Sequence, residues 1–363
     1  MNRHFFRFLF PLGLLLVATF IFIWFSTFHP ADIQPENITC SPDAPNLASG
    51  QTLKIYNQNV QYMAGKNYVF FYDLPNNAGP DNRPSSDDIK ATVQGLASLI
   101  NQQNPDIILL QEVDDGAKRT DKKDQLKQLL ALLPNDYVCH TSSFYWKATY
   151  VPHPHIMGSV GTKLSVISKY NMSSATRIQL SLIPQDPITQ LFNFKRALLD
   201  VRLPIDTGGE LAVLTTHLSA FSKGTNTLKK QINQIDQRLH SLNKAQTPWI
   251  IAGDFNLLPP NTYSLLNEEQ RHFHEKHSAI ETLYQQYPAI PKLSAVHSEE
   301  RENWHTYSPN GSPVKQPDRT IDYYFYSPQL SAHETFVEQD KALTLSDHMP
   351  IIASFTLPQK RLE

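Results

Sequence analysis

Two segments of the chain repeat one pattern, a helical stripe of apolar residues followed by a short, continuous apolar run. The first stripe spans residues 89–100 and leads past Pro105 into DIILLQEV, and the second spans residues 228–242 and leads into WIIAGD. A continuous apolar run bounded by helices is typical of a strand that is buried on both faces. The pattern therefore predicts a sheet with helices packed against it.

Six further segments have the length and the β-branched or aromatic content of strands. They are LKIYNQNV, LSVISKY, RALLDVRL, LAVLTTHL, TIDYYFYS and PIIASFTL. Many strands with helices between them indicate a mixed α/β or α+β domain with more than one sheet. The hydrophobic fraction of 40% is sufficient for a sizeable core, so wholesale disorder is not expected.

The N-terminus carries an uncharged, apolar stretch from Phe8 to Phe28, preceded by Arg3 and Arg7. A helix needs about 20 such residues to cross a bilayer, and a positive flank keeps its own end in the cytoplasm. We therefore expect a single-pass transmembrane anchor within residues 1–30 and a catalytic domain on the extracytoplasmic side, periplasmic or extracellular. A cleaved signal peptide is the alternative, although the bulky Trp24 near the exit does not suit a cleavage site.

The next stretch, residues 31–50, is rich in Pro, Asn, Asp and Ser and is predicted to be a linker. A catalytic domain is then expected over residues 51–358, with a tail at 359–363. Cys40 and Cys139 are the two cysteines of the chain. In an oxidising compartment they could form a disulfide, and otherwise they would be two unpaired thiols.

The charge balance argues against extensive contact with a nucleic-acid backbone. Without Arg3 and Arg7, 30 of the 32 basic side chains remain, against 34 acidic ones. Nonspecific DNA binding depends on many Lys and Arg side chains that neutralise phosphates. A mildly acidic domain without long basic runs is poorly suited to it, which weighs against a nuclease without excluding one.

Polar residues close or interrupt several of the apolar strands. A carboxylate at the end of a buried strand is expensive to desolvate unless it is paired or binds a cation, so several together suggest one shared cleft. Oxygen-rich clusters suit Mg²⁺ or Mn²⁺, and histidines add proton transfer near neutral pH. Taken singly, each would more often be a helix cap, a surface carboxylate or a core histidine. The set is Asn59, Glu112, His217, Asp254, Asn256, Asp322, Asp347 and His348.

These segments together resemble the endonuclease/exonuclease/phosphatase superfamily, which contains deoxyribonuclease I-like nucleases, neutral sphingomyelinases and inositol polyphosphate phosphatases. The resemblance runs in order through YNQNV, LLQEVD, TTHLSAF, GDFNLLP, RTIDYYFYS and LSDHMPI. It implies an α+β fold, a four-layer α/β/β/α sandwich of two mixed sheets flanked by helices, here preceded by the transmembrane helix. It also implies a hydrolase that depends on a divalent metal.

The resemblance assigns a role to each member of the set. Glu112 would be the principal metal ligand, with Asn59 beside it, and Asp254 would orient or deprotonate the attacking water. The amide of Asn256 would hold a phosphate oxygen. The remaining roles fall to His348 at the scissile phosphate, Asp322 as its carboxylate partner, Asp347 as an alternative partner or a metal ligand, and His217 across the cleft.

Two basic residues are candidates for substrate contacts. Arg196 would orient the site or pair with a surface carboxylate, and Lys147 belongs to an aromatic-rich segment at residues 143–158 that either lines the cleft or is an ordinary packed loop. Thr162 and Lys163 depart from the family pattern, where an Asn or a small apolar residue is expected. A long ordered loop is expected at residues 65–86.

The substrate is expected to be a phosphodiester near a membrane, a phospholipid head group in the first place and a nucleic acid in the second. The expected anchor and the acidic domain favour the lipid. A nuclease of the same superfamily is the alternative within the enzyme class, and a catalytically silent binding module is the alternative outside it. No protein partner is predicted.

Overall fold

A computed structural model gives the fold and describes residues 3–311 and 316–359. Two seven-stranded mixed sheets face each other in it, and helices cover their outer faces. The helices are α1 (Arg3–Ser26), α2 (Ser86–Gln103), α3 (Gln125–Leu130), α4 (Pro187–Phe192), α5 (Thr227–Lys244), α6 (Glu268–Arg271), α7 (Glu281–Gln286) and α8 (Leu293–Val296). The predicted two-sheet sandwich flanked by helices is confirmed.

The first sheet has the order β13-β14-β3-β4-β6-β5-β2, and the second has the order β1-β7-β8-β9-β10-β12-β11. The strands are β1 (Ile33–Pro35), β2 (Ile38–Cys40), β3 (Thr52–Asn59), β4 (Ile107–Asp114), β5 (Cys139–Val151), β6 (Gly158–Ser168), β7 (Ser174–Gln179), β8 (Ala197–Pro204), β9 (Glu210–His217), β10 (Trp249–Asp254), β11 (Ala289–Ile290), β12 (Asp322–Tyr326), β13 (Ser331–Val337) and β14 (Ile351–Thr356).

The apolar runs are continuous because both faces of the central strands are buried. In β4, Leu109 points into the layer between the sheets, whereas Leu110 points outward into the core beneath α2. In β10, Ile250 likewise points between the sheets and Ile251 points toward α5. Successive side chains of a strand alternate between faces, so a strand covered on both sides needs an apolar residue at every position.

The N-terminal stretch forms α1, and large apolar side chains such as Phe10, Leu15 and Phe25 are exposed on it. No helix among residues 3–311 and 316–359 combines the length and the apolar character that crossing a bilayer requires. The transmembrane part of the expectation for residues 1–30 is therefore not confirmed. Residues 1 and 2 of that segment, and residues 360–363 of the expected tail, lie outside the described residues.

The segment from residue 31 to residue 50 differs from the predicted linker, because it pairs with both sheets. Strand β1 lies antiparallel to β7 on the second sheet, and β2 lies antiparallel to β5 on the first. Leu47 is fully buried in the layer between the sheets. The proline content that indicated a linker is compatible with this pairing, because Pro35 ends an edge strand, where a missing N–H donor is tolerated.

A disulfide joins Cys40 at the end of β2 to Cys139 at the start of β5, as the paired alternative expected. At its other end β5 contacts α1, since Thr27 bridges Ala148 and the Thr149 hydroxyl donates to the carbonyl of Ser26 at 3.5 Å. The segment that connects α1 to the domain is therefore fixed by the pairing of β1 and β2 and by one disulfide.

Removal of the disulfide should lower the free energy of unfolding, because the bond closes a sequence separation of 99 residues and so restricts the unfolded chain. We expect the double substitution Cys40→Ser and Cys139→Ser to lower it by about 2–4 kcal/mol. Urea denaturation of oxidised wild type, reduced wild type and the double variant measures this. Equal unfolding midpoints for all three would contradict the expectation.

Candidate active site

Polar side chains from both sheets meet at one end of the sandwich. Strand β10 runs parallel to β9 and antiparallel to β12, and this register places Asp254 level with His217 on one side and with Asp322 on the other. The first sheet contributes the ends of β3 and β4 and the turn before β14, which runs antiparallel to β3. The side chains that meet there are Asn59, Glu112, His217, Asp254, Asp322 and His348.

The amide of Asn59 connects the two sheets at this end. Its Nδ2 donates to Glu112 Oε1 and to Asp254 Oδ2, each at 3.1 Å, and its Oδ1 accepts from the backbone N–H of Gln61. Glu112 belongs to the first sheet and Asp254 to the second. One buried amide therefore fixes the separation of two carboxylates that come from opposite layers.

Two of the predicted residues adopt an unusual backbone conformation. Glu112 has φ 60° and Asn256 has φ 52°, in the left-handed region that few residues other than glycine occupy. At Glu112 the pairing of β4 with β6 is also interrupted between Leu110 and Val113. A bulge of this kind turns one side chain out of the regular alternation, which directs the carboxylate toward the cleft. Such conformations are often found where function requires them.

Asp254 occupies the centre of the cluster. Its Oδ1 accepts from the backbone N–H of Asn256 at 2.9 Å, while Nε2 of His217 and Nε2 of His348 lie 3.3 and 3.6 Å from its Oδ2. Burial raises the pKa of Asp254, and the neighbouring charge of Asp322 adds to this effect. A carboxylate with a raised pKa is a better proton acceptor near neutral pH than an exposed one.

His348 is held in a fixed orientation by Asp322, because Nδ1 of the ring lies 2.8 Å from Asp322 Oδ2. The ring of Tyr307 packs edge-on against it at 4.9 Å between centroids. Burial alone would lower the pKa of His348, but the carboxylates of Asp322, Asp254 and Asp347 raise it to about 10. The surrounding carboxylates therefore favour the protonated imidazole, whose Nε2 lies 3.6 Å from Asp254 Oδ2.

The pKa of His217 is shifted in the opposite direction. Burial lowers its pKa well below the ordinary value, and the charges of Arg196 and His348 lower it further. Its Nδ1 lies 3.3 Å from the hydroxyl of Tyr145. The pKa values of the two histidines around this carboxylate are thus shifted in opposite directions.

Arg196 lies beside this pair. Its guanidinium carbon is 5.0 Å from the ring centroid of Tyr145, and its charge acts on Glu112 and Asp254. The side chain is 6% exposed, and its Nη1 has no hydrogen-bond partner within the described part of the chain. A buried cationic N–H without a partner is costly, so the arrangement suits an anionic oxygen placed in the cleft.

Two separate groups of side chains could hold a cation. Asp254, Asp322 and His348 bring ligand atoms within 4.8 Å of one another, but Asp322 and His348 are already hydrogen-bonded to each other. Burial raises the pKa of Glu112, and the charge of Asp347 raises it further, which indicates that these two carboxylates lie near each other. The second group is the better fit, because its shortest contact with a histidine, 3.7 Å between Glu112 Oε1 and His217 Nδ1, is longer than the 2.8 Å between Asp322 and His348, and carboxylate oxygens suit a hard divalent cation.

One of the predicted residues lies apart from the cluster. Lys147 is exposed, its Nζ lies 4.4 Å over the ring of Phe144, and its charge acts on Glu36. The departures at Thr162 and Lys163 have structural partners. The Thr162 hydroxyl donates to Asp114 at 2.8 Å, and Lys163 forms ion pairs with Asp115 and Asp124.

Several side chains around the cleft were not among the predicted site residues. Tyr145 lies in the aromatic-rich segment that had been singled out, but alternation along a strand does not identify the side chain that reaches the cleft. Lys66 and Asp73 lie in the long loop, and the charge of Asp347 raises the pKa of each. Burial raises the pKa of Asp73 to about 8. No periodic signal in the sequence marks residues of such a loop.

The two-sheet sandwich, with acidic, amide and histidine side chains gathered at one end, defines the class of metal-assisted phosphoester hydrolases. The Endonuclease/Exonuclease/phosphatase family model matches residues 57–348, and the chain belongs to this family. Its members are phosphoric ester hydrolases, nucleases and phosphatases among them, and they generally depend on a divalent metal. No curated protein matches this chain in sequence.

Solved structures agree with the family at the level of the fold. An endonuclease/exonuclease/phosphatase from Beutenbergia cavernae DSM 12333 is similar over 85% of this chain and 72% of its own, with 19% identity and a TM-score of 0.56. A family protein from Leptotrichia buccalis C-1013-b covers 84% of this chain and 99% of its own, with 16% identity and a TM-score of 0.53. The human Nocturnin catalytic domain with bound sulfate covers 88% and 97%, with 18% identity and a TM-score of 0.50.

The protonation of His348 provides a direct test of its pairing with Asp322. Asp322→Asn removes the charge that contributes most to raising the pKa of His348, so the imidazole should lose its proton at a lower pH than in wild type. A titration of the histidine Cε1 proton by NMR in metal-free protein measures this. Asp318→Asn, which changes a carboxylate paired with Arg319, is the control. Identical titration curves for His348 in wild type and Asp322→Asn would contradict the pairing.

Proposed function

We propose that this protein hydrolyses a phosphodiester with the help of Mg²⁺ or Mn²⁺, outside the cytoplasm, and that its substrate is a phospholipid head group. The observation that carries the hydrolytic part is the convergence of Glu112, Asp254, His217 and His348 on a space a few ångströms across. A catalytically silent binding module has no need of two histidines gathered around one buried carboxylate.

In the proposed reaction, Asp254 orients a water molecule and accepts its proton as the water oxygen bonds to phosphorus, because Asp254 Oδ2 is the atom on which the surrounding side chains converge. The bond from phosphorus to the leaving oxygen breaks, and that oxygen takes up a proton from solvent. His348, protonated and oriented by Asp322, donates a hydrogen bond to a phosphate oxygen as negative charge develops there. Neutral His217 and the free Nη1 of Arg196 complete the polar lining. A cation held by Glu112 and Asp347, beside Asn59, would supply Lewis-acid stabilisation of the phosphate charge.

Several observations support an extracytoplasmic, membrane-proximal substrate. The disulfide between Cys40 and Cys139 is of a kind that persists in oxidising compartments. Helix α1 exposes apolar side chains between Phe10 and Phe25, and a lipid interface would cover such side chains. The helix meets the domain beside Ala148, where β5 approaches the same end of the sandwich as the candidate site. A lipid surface in contact with α1 would therefore lie near the cleft.

A nuclease is the second candidate, favoured by the family, whose members include nucleases. The formal net charge of −2 for the chain disfavours it, because binding of a polyanion strengthens with the number of phosphates neutralised. We therefore place a nucleic acid second.

Loss of the central groups should abolish turnover without loss of the fold. We expect Asp254→Ala and His348→Ala each to lower kcat by about 10²–10⁴-fold, since each removes a group that handles a proton or stabilises charge. Steady-state hydrolysis with Mg²⁺ measures this, and thermal unfolding checks the fold. Exposed His297 provides the matched control His297→Ala. Retention of wild-type kcat in either variant would remove that residue from the mechanism.

Glu112→Gln should weaken the dependence on the metal. The substitution keeps the shape of the side chain but removes its negative charge, which a cation would neutralise. The Mg²⁺ concentration that gives half-maximal activity should therefore rise by roughly 10-fold or more. A Mg²⁺ titration of wild type and variant at fixed substrate measures this. A midpoint that does not move would exclude Glu112 as a ligand.

The two substrate classes respond differently to surface and to salt. If the lipid proposal is correct, the rate of phospholipid hydrolysis by the full chain should rise with the vesicle surface that is accessible to the protein, at constant total lipid. DNA should be cleaved slowly or not at all. A nuclease should instead cleave DNA with a rate that falls steeply with salt. Parallel assays with sphingomyelin or glycerophospholipid vesicles and with DNA, each with Mg²⁺, Mn²⁺ or a chelator, measure both. Metal-dependent cleavage of DNA alone would overturn the lipid assignment.

A further inference from the structure

Arg119 lies close to the candidate site but belongs to none of the assigned roles. It sits in a 3₁₀ turn at Lys118–Thr120 that follows β4. Its Nε donates to Asp114 Oδ2 at 2.8 Å, and its Nη2 donates to Asp114 Oδ1 at 3.0 Å and to Thr162 Oγ1 at 3.3 Å. Asp114 is fully buried, and Thr162 donates to it as well. One edge of the guanidinium is thus fixed by a two-point ion pair.

The flat face of the same guanidinium is fixed by an aromatic ring. The guanidinium carbon lies 3.5 Å from the ring centroid of Tyr62, which is 1% exposed. The chain reaches this position through three consecutive residues with positive φ, namely Gln61 at 44°, Tyr62 at 40° and Met63 at 54°. Backbone of this kind is strained and persists only where its surroundings hold it. Gln125 holds it here, since its Nε2 donates to the carbonyl of Tyr62 at 2.6 Å.

The remaining edge of the guanidinium is free. Nη1 of Arg119 makes no hydrogen bond within the described residues, and it is not among their fully buried atoms. The side chain is 19% exposed, whereas Asp114 is not exposed at all. A cation whose role was only to neutralise Asp114 and anchor the turn would not need an edge that is open to solvent.

Arg119 lies near the first-sheet part of the candidate site. Its ion-pair partner Asp114 follows Glu112 by two residues on β4, and its ring partner Tyr62 follows Asn59 by three residues. The guanidinium carbon also lies 5.9 Å from the ring centroid of Trp146, next to Tyr145 on β5. Arg119 is therefore placed beside the strand ends that carry Asn59 and Glu112.

Two loops form the rim above this position. Lys118 Nζ donates to the carbonyl of Met157 at 3.0 Å, which connects the turn to the β5–β6 connection. The ring of Phe71 stacks on His155 at 4.6 Å between centroids with an interplanar angle of 7°, and His155 Nδ1 lies 2.8 Å from Asn82 Oδ1. The long loop at residues 65–86 and the aromatic-rich segment are thus joined around Arg119.

We propose that Arg119 is a specificity-determining residue that binds a second phosphate of the substrate, next to the phosphate that is hydrolysed. The inference rests on the proposed function for the position of the first phosphate. A planar, permanently charged guanidinium with a free N–H edge matches a phosphate oxygen, and its ion pair and ring contact remove the entropy that a flexible side chain would lose on binding. The substrate class becomes a phosphodiester that also carries a phosphomonoester.

Binding of two small ligands tests the proposal independently of hydrolysis. Inositol 1-phosphate and inositol 1,4-bisphosphate are titrated calorimetrically, with Mg²⁺, into the full chain as wild type, Arg119→Ala, Arg119→Lys and Arg238→Ala. Arg238 is the matched control, because it also forms an ion pair with a buried carboxylate, that of Asp200. Arg238 lies on α5, however, which packs against the second sheet. The preference of wild type for the bisphosphate should fall by about tenfold or more in Arg119→Ala. It should be partly kept in Arg119→Lys and unchanged in Arg238→Ala.

Two results would overturn the proposal. One is a wild type that binds both ligands equally or neither of them, and the other is an unchanged preference in Arg119→Ala with an unchanged unfolding temperature. If Arg119→Ala fails to fold, Arg119→Gln takes its place. A folded Arg119→Gln variant that keeps the wild-type preference for the bisphosphate would also overturn the proposal. A wild type that prefers the bisphosphate but hydrolyses no diester would refute the proposed function and leave the Arg119 site in place.

Discussion

The arrangement of the site depends on the desolvation of carboxylates at the ends of buried strands. Asp254 is 1% exposed and Asp322 is 1% exposed, and neither could stay in such surroundings without partners. The fold supplies partners from the opposite sheet, through the amide of Asn59 and the imidazole of His348. Below them, the amide of Gln111 donates to Asn57 and to Thr215, which adds a second polar connection across the sandwich. Because these buried groups need hydrogen-bond partners from the opposite sheet, the distance between the sheets also determines the geometry of the site.

The same constraint separates the two histidines chemically. Both are buried beside Asp254, and burial lowers the pKa of both. The carboxylates of Asp322, Asp254 and Asp347 reverse this effect at His348, whereas the charges of Arg196 and His348 add to it at His217. The neighbouring charges therefore give the two imidazoles opposite pKa shifts. Burial acts on both in the same direction, so it cannot by itself distinguish a charged donor from a neutral ring.

The sequence predicted those parts of the molecule that have a repeating or an end-of-strand signal. Apolar runs identified β4 and β10 because both faces of these strands are covered, and the polar residues that follow them identified Glu112 and Asp254. The edge strands β1 and β2 were not recognised, since short strands that pair at a sheet edge need no apolar pattern and tolerate proline. Arg119 was not recognised either, because the ring of Tyr62 against which it packs is remote in sequence and is positioned by a left-handed turn.

The N-terminal arm has a consequence for how freely the domain can move. Residues 33–40 are paired to one edge of each sheet, and a covalent bond to β5 closes the arm at its far end. Between α1 and the sandwich there is consequently almost no slack. The C-terminal end of α1 is held directly against β5, through Ser26 and Thr27. The distance from this end of α1 to the cleft is therefore set by the length of β5 and not by a flexible linker.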